Sequence, residues 1–262
     1  MLMLTHTWML KMFLGADRAR EVEPDFFVHN VAPDILTVHN DINSEMTHNI
    51  SRFRPLPEEH GKAIFVQFHL LVDDIAHHGK VCREAAAGFD PSSQGYAYLK
   101  GRPLVKPIRD FHSNLGQSIS GDEAAYCSHI LIEIAVDQLL QDKIQTDVAR
   151  QFVTALGYTL DAKMDDFCRT SSWLYGIEPQ IIAEALKKGK DKYDTGSGDN
   201  FASHAGRMDL YISKFGLDKG DPFTWSGLKI LLDQAMQLVK DYEEFLLTAV
   251  KVIRQSDFRI RL

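Results

Sequence analysis

The chain has 262 residues, 45% of them hydrophobic and 25% charged, which is an ordinary composition for a soluble globular protein with one large core or two small ones. Its formal net charge of −7 argues against nucleic-acid binding over the whole surface. Three cysteines, Cys82, Cys127 and Cys168, match neither a disulfide framework nor a zinc ribbon and point to a reducing cytoplasm.

Helices are expected almost throughout, at about 4–20, 60–80, 122–142, 144–168, 178–189, 200–214 and 225–254. Alternating strand patterns are missing, so the fold class is all-α. The first helix carries His6, and its Leu14-Gly15-Ala16 end lacks the charged start of a signal peptide. Pro24, Pro33, Pro55 and Pro57 punctuate a long connection after it. Gly88 to Pro107 reads as a loop excursion, and Thr195 to Asn200 as a second loop whose Asp/Asn end caps the next helix. The segment from Trp225 to Arg254 reads as one long amphipathic packing helix. No apolar run reaches the ~20 residues of a membrane span.

Ten of the eleven histidines lie at or before position 129. His29, His39, His60, His112 and His204 read as surface or core residues. His69, Asp73 and His77 form one cassette, and His129, Glu133 and Asp137 another. Each recurs at four-residue steps, which places its three side chains on one helix face. The flanking stretches 63–78 and 123–142 contain no Lys or Arg and are apolar on most sides, so both helices should be buried. Buried carboxylates without a local cation are costly, and a divalent metal is the simplest counter-charge. The two helices are then expected to pack against each other through a shared site. Asp34 follows Pro33, a dipeptide that commonly opens a helix or turn.

The order His6, Ala32-Pro33-Asp34, His48, His69-x-x-x-Asp73-x-x-x-His77, His129-x-x-x-Glu133 resembles the zinc-dependent phospholipase C and single-strand nuclease superfamily. The resemblance is closest to its intracellular bacterial branch and covers roughly residues 5–140. It implies one all-α domain over 1–262, with the metal-binding part at about 1–142 and a helical C-terminal extension at about 143–262. It also implies a cluster of two or three Zn2+ ions, with Mn2+ or Fe as alternatives. His48, His69 and Asp73 would bind one ion, and His77, His129 and Glu133 a second. His6 would bind a third, bridged by Asp73. Asp34 would be the base that orients the attacking water. Asp137 would orient a ligand histidine, and His78 would lie beside the ligands. Trp8 is internal here, so the processed N-terminal Trp that completes the third site in secreted members is absent. The doublet His77-His78 replaces the branch's His-Pro, and His77 continues the stripe.

The resemblance implies metal-assisted hydrolysis of a phosphodiester or phosphomonoester in a small phosphorylated substrate, with zinc-activated water as nucleophile. It implies no sequence-specific nucleic-acid partner and sets neither head group nor oligomeric state. Three other readings compete. A His-Asp type all-α phosphohydrolase would need an adjacent His-Asp pair, which the sequence lacks. A di-iron bundle would need several Glu and Glu-x-x-His pairs. A non-catalytic, metal-stabilised helical binding protein would need a closed coordination site.

Overall fold

The structure, a computed structural model, describes residues 2–85, 90, 92–144, 147–193 and 203–260. Among the described residues every regular element is helical: α1 (Met3–Leu14), α2 (Arg18–Glu21), α3 (Asp25–Ile35), α4 (Ser44–His48), α5 (Ala63–His78), α6 (Tyr96–Gly101), α7 (Val105–Asn114), α8 (Gly121–Ile144), α9 (Asp147–Ala162), α10 (Met164–Tyr175), α11 (Pro179–Tyr193), α12 (His204–Lys214), α13 (Pro222–Leu238) and α14 (Tyr242–Gln255). No helix among the described residues is long and apolar enough to cross a membrane.

α5 is the axis of the fold. All its residues from Ala63 to Ala76 are buried except Ile64. α3, α6, α10, α14 and α1 pack around it. Its C-terminus closes on Gly79, whose φ of 73° is left-handed and whose N–H donates to the Ile75 carbonyl. α6 then returns so tightly that a Cβ on Gly95 would sit 2.0 Å from the His77 carbonyl carbon. Only glycine permits that approach, and it seats α6 on the last turn of α5.

α5 and α8 are less intimate than expected. α6 and α1 each pack on both helices, and the two cassettes meet through the side chains of His77, His129 and Glu133. The helices after residue 143 are not peripheral: α13 and α12 pack on α8, α9 on α1 and α3, and α14 on α5.

Several boundaries differ from the sequence reading. The stretch 25–35 forms helix α3 with Pro33 inside it. Proline costs an interior helix hydrogen bond and a clash. Here Pro33 falls in the last turn, and the fully buried Val28, Val31, Ala32 and Ile35 hold the helix in place. Asp34 therefore ends a helix rather than opening one. The loop expected up to Pro107 contains α6 and the first turn of α7. The last long helix is two, because the chain bends between Val239 and Asp241 while the apolar stripe carries on. The first expected helix ends at Gly15. The loop Thr195 to Asn200 lies outside the described residues, and Ser203 caps α12.

Candidate metal centre

His6 is placed by the start of α1. The first-turn N–H groups of a helix have no partner within the helix. Here Asp137 reaches across from α8 and accepts from Thr5 N–H at 2.9 Å and from Leu4 N–H at 3.2 Å, and it also accepts from the Thr5 hydroxyl. The negative charge suits the positive end of α1. Arg207 of α12 lies 3.1 Å from the other side of the same carboxylate. The Asn30 amide of α3 donates to the His6 carbonyl at 2.9 Å.

This corrects one expectation. Asp137 grips α1 rather than a ligand histidine, so it acts on the cluster by positioning His6. It also corrects part of the charge argument. Asp137 and Asp74 do have cationic partners, Arg207 and Arg52, both from outside their own helices.

His48 is placed by Arg52. The guanidinium pairs with Asp74 of α5 through Nη2–Oδ1 at 2.9 Å and Nε–Oδ2 at 3.1 Å, and its Nη1 donates to the His48 carbonyl at 2.9 Å. His48 Nδ1 donates to the Ser44 carbonyl at 2.9 Å, which turns Nε2 inward. The Thr47 hydroxyl donates to the Pro33 carbonyl at 2.8 Å and ties α4 to the end of α3.

These supports bring His6, Asp34, His48, His69 and Asp73 together. Asp73 divides its two oxygens: Oδ1 is 3.2 Å from His6 Nε2, while Oδ2 is 3.2 Å from His69 Nε2 and 3.5 Å from His48 Nε2. Asp34 Oδ1 is 3.6 Å from His48 Nε2 and 3.9 Å from His69 Nε2. The His6 and His69 rings stack with centroids 3.6 Å apart. His6, His69 and Asp73 form one donor set, and Asp34, His48 and His69 another. Asp34 thus stands among the donors themselves.

A third set joins His77, His129 and Glu133. His77 Nε2 lies 2.7 Å from Glu133 Oε1, and the His77 and His129 rings are perpendicular with centroids 5.4 Å apart. Of the doublet, His77 faces Glu133. His78 is turned edge-on to His77 at 6.3 Å and belongs to none of the three sets. Tyr98 stacks on His129 at 4.7 Å and Tyr126 meets it at 4.8 Å, fixing its ring from both sides.

The electrostatics suit a cation. Burial pushes His69 down to about 4 and His129 down to about 3, which leaves neutral imidazoles with free electron pairs. Burial opposes ionisation of Asp73, but the positive charge facing it holds its carboxyl well below the usual range. Burial likewise disfavours charge on His48, yet the carboxylates of Asp34 and Asp73, 3.6 and 3.5 Å from its Nε2, push it up to about 9. The two carboxylates therefore draw a positive charge between them, and a proton on His48 supplies it when no metal does.

The geometry fits too. Two donors at about 2.1 Å from a tetrahedral ion are roughly 3.4 Å apart. The gaps of 3.2, 3.2, 3.5 and 3.6 Å among His6, His48, His69, Asp34 and Asp73 bracket that value, while Asp34 to His69 is longer at 3.9 Å and His77 to Glu133 shorter at 2.7 Å. Neither nitrogen of buried His69 makes a hydrogen bond, although Asp73 lies 3.2 Å from it, and Asp34 Oδ2 is buried without one. The donor atoms of each set lie close enough to one another to share an ion.

His29, His39, His60, His112 and His204 belong to none of the donor sets. The sequence reading missed Asn30, Arg52, Tyr98, Tyr126, Tyr175 and Arg207. Tyr175, at the end of α10, buries a hydroxyl that has no hydrogen-bond partner, and the charge of Asp34 adds to burial in keeping it protonated. Only an unexplained polar residue in an apolar helix could have flagged any of these.

No family model, no curated protein and no solved structure matches this chain.

Proposed function

We propose that the chain is a metal-dependent phosphoester hydrolase, related to the zinc-dependent phospholipase C and nuclease superfamily it resembles. The observation that carries this reading is the donor cluster with one open side. His6 and His69 are fully buried, while Asp34, His48 and His77 keep 23, 27 and 24% of their side-chain surface exposed. A structural metal site is closed by its ligands, whereas a catalytic one keeps a position open.

His48, His69 and Asp73, with His6 on the second Asp73 oxygen, would hold metal on one side. His77, His129 and Glu133 would hold it on the other. Bound zinc, with manganese or iron as alternatives, would polarise the phosphoryl oxygens and lower the pKa of water. Asp34 sits at the open mouth with one oxygen toward His48 and His69 and is placed to take a proton from the attacking water. Glu133 faces His77 at 2.7 Å, and Tyr98 stacks on His129 at 4.7 Å.

The test is metal analysis of the purified protein, then hydrolysis of p-nitrophenyl phosphate and bis(p-nitrophenyl) phosphate with zinc, manganese or iron, with and without a chelator. Metal-dependent turnover of either ester supports the reading. Tightly bound metal with no turnover of any phosphoester under these conditions replaces it with a metal-stabilised binding protein.

A further inference from the structure

A cavity of about 500 Å³ opens where the end of α1, α2, the start of α3 and the middle of α9 meet. It is large enough for a small organic ligand. Buried Ala19, Phe27 and Ala155 line its apolar part. Lys11, Arg20 and Arg150 stand around it, and no acidic residue lines it. So basic a lining stands out in a chain of net charge −7.

Of the acids close by in the chain, Asp17 and Glu21 are not among the lining residues. Glu23 is held by Lys62 at 3.1 Å and Lys163 at 2.9 Å, and Asp25 by Lys62 at 2.6 Å. Lys11 and Arg20, by contrast, make no side-chain hydrogen bond or ion pair with any described residue. Gln151, which also lines the cavity, has a buried Oε1 without a hydrogen-bond partner. An unsatisfied buried acceptor next to a cavity asks for a donor from whatever fills it.

We propose that this cavity binds an amphipathic anion: a carboxylate or phosphate head held by Lys11, Arg20 and Arg150, and an apolar body against Phe27, Ala19 and Ala155. A hydroxyl or amide N–H on the ligand would satisfy Gln151. Apolar burial supplies the affinity, and the cations select the sign of the head group. The site shares no residue with the His and carboxylate cluster, so it stands whether or not that cluster is catalytic.

The probe is 8-anilinonaphthalene-1-sulfonate, titrated by fluorescence into the full chain with chelator present, so that the metal centre plays no part. Saturable one-to-one binding is expected, displaced by octanoate or octyl phosphate but not by octylammonium. Whichever of the two anions displaces better identifies the head group. The exposed double substitution Arg20→Glu with Arg150→Glu should weaken the dye by at least about tenfold. Thr154→Trp, which places a ring in the cavity from an exposed position, should weaken it similarly without touching a charge. Circular dichroism confirms that both variants fold. Dye binding unchanged in both variants overturns the proposal, as does octylammonium displacing as well as octanoate.

Discussion

Asp137 accepts the backbone N–H of Thr5 at 2.9 Å, and so a carboxylate on α8 fixes the residue directly before His6. A far helix thus supplies the N-terminal cap that α1 lacks, since Leu2 provides no side-chain cap of its own. Asp137→Ala should cost roughly 3–5 kcal/mol, because it removes the carboxylate that faces the buried Arg207 charge and the first-turn N–H groups. Asp137→Asn keeps acceptor oxygen and shape, and should cost less. Urea unfolding measures both. Equal losses in the two variants would mean that packing, not charge, makes the difference.

Asp34 and Asp73 separate chemistry from metal holding. Asp34→Asn should retain bound metal and lower phosphoester turnover by roughly 10²–10⁴-fold. Asp73→Ala should lose metal and stability, since both its oxygens face histidines among Val72, Leu70 and Leu71. Elemental analysis beside the rate assay checks the contrast. Metal loss in Asp34→Asn would instead make Asp34 a ligand, in line with its place among the donors.

Metal should also stabilise the fold. With zinc at about 100 times its Kd, unfolding should become harder by about 2.7 kcal/mol. His69→Ala should remove most of that gain while leaving helix content intact. A zinc-independent urea midpoint in the parent chain would end the metal-site reading.

Tyr175→Phe tests the buried hydroxyl near Asp34. Stability should hold or rise, because the hydroxyl has no partner to lose. Phosphoester KM should rise by about tenfold if the phenol meets the substrate, a loss near 1.4 kcal/mol. Unchanged kinetics would assign Tyr175 to packing alone.

His29 sets an acid limit away from the cluster. It is completely buried, and burial together with the Lys62 charge pushes it down to about 3. Neither of its nitrogens has a hydrogen-bond partner. Its unfolded pKa is about 6.5. The folded value is the lower one, so the full stability is present above about pH 6.5 and declines as pH falls toward 3, because the unfolded chain takes up a proton that the fold refuses. His29→Leu should flatten that decline, by roughly 5 kcal/mol at most, and should not lose stability at pH 7.5. Urea midpoints at about pH 4.5 and 7.5 check it. Parallel declines in both proteins would assign acid sensitivity to other groups.

The three-to-four residue period made the all-α class legible, because burial of α5 forces apolar residues onto every side but those carrying His69, Asp73 and His77 and, away from them, Gln67 and Asp74. The same spacing put His129 and Glu133 on one face of α8. It misread the chain wherever local chemistry and packing disagree. Pro33 reads as a breaker, yet α3 continues through it under its buried apolar face. The bend at Val239 leaves the apolar period intact and so is invisible in it.

The partners of the carboxylates were equally hidden. Asp137 continues the second stripe by spacing, but α1 and α12 arrive beside it from both ends of the chain. Spacing along one helix determines which side chains share a face. Which backbone amide, guanidinium or imidazole meets that face is decided only when distant helices pack, since contact energies depend on separation in space and not along the chain.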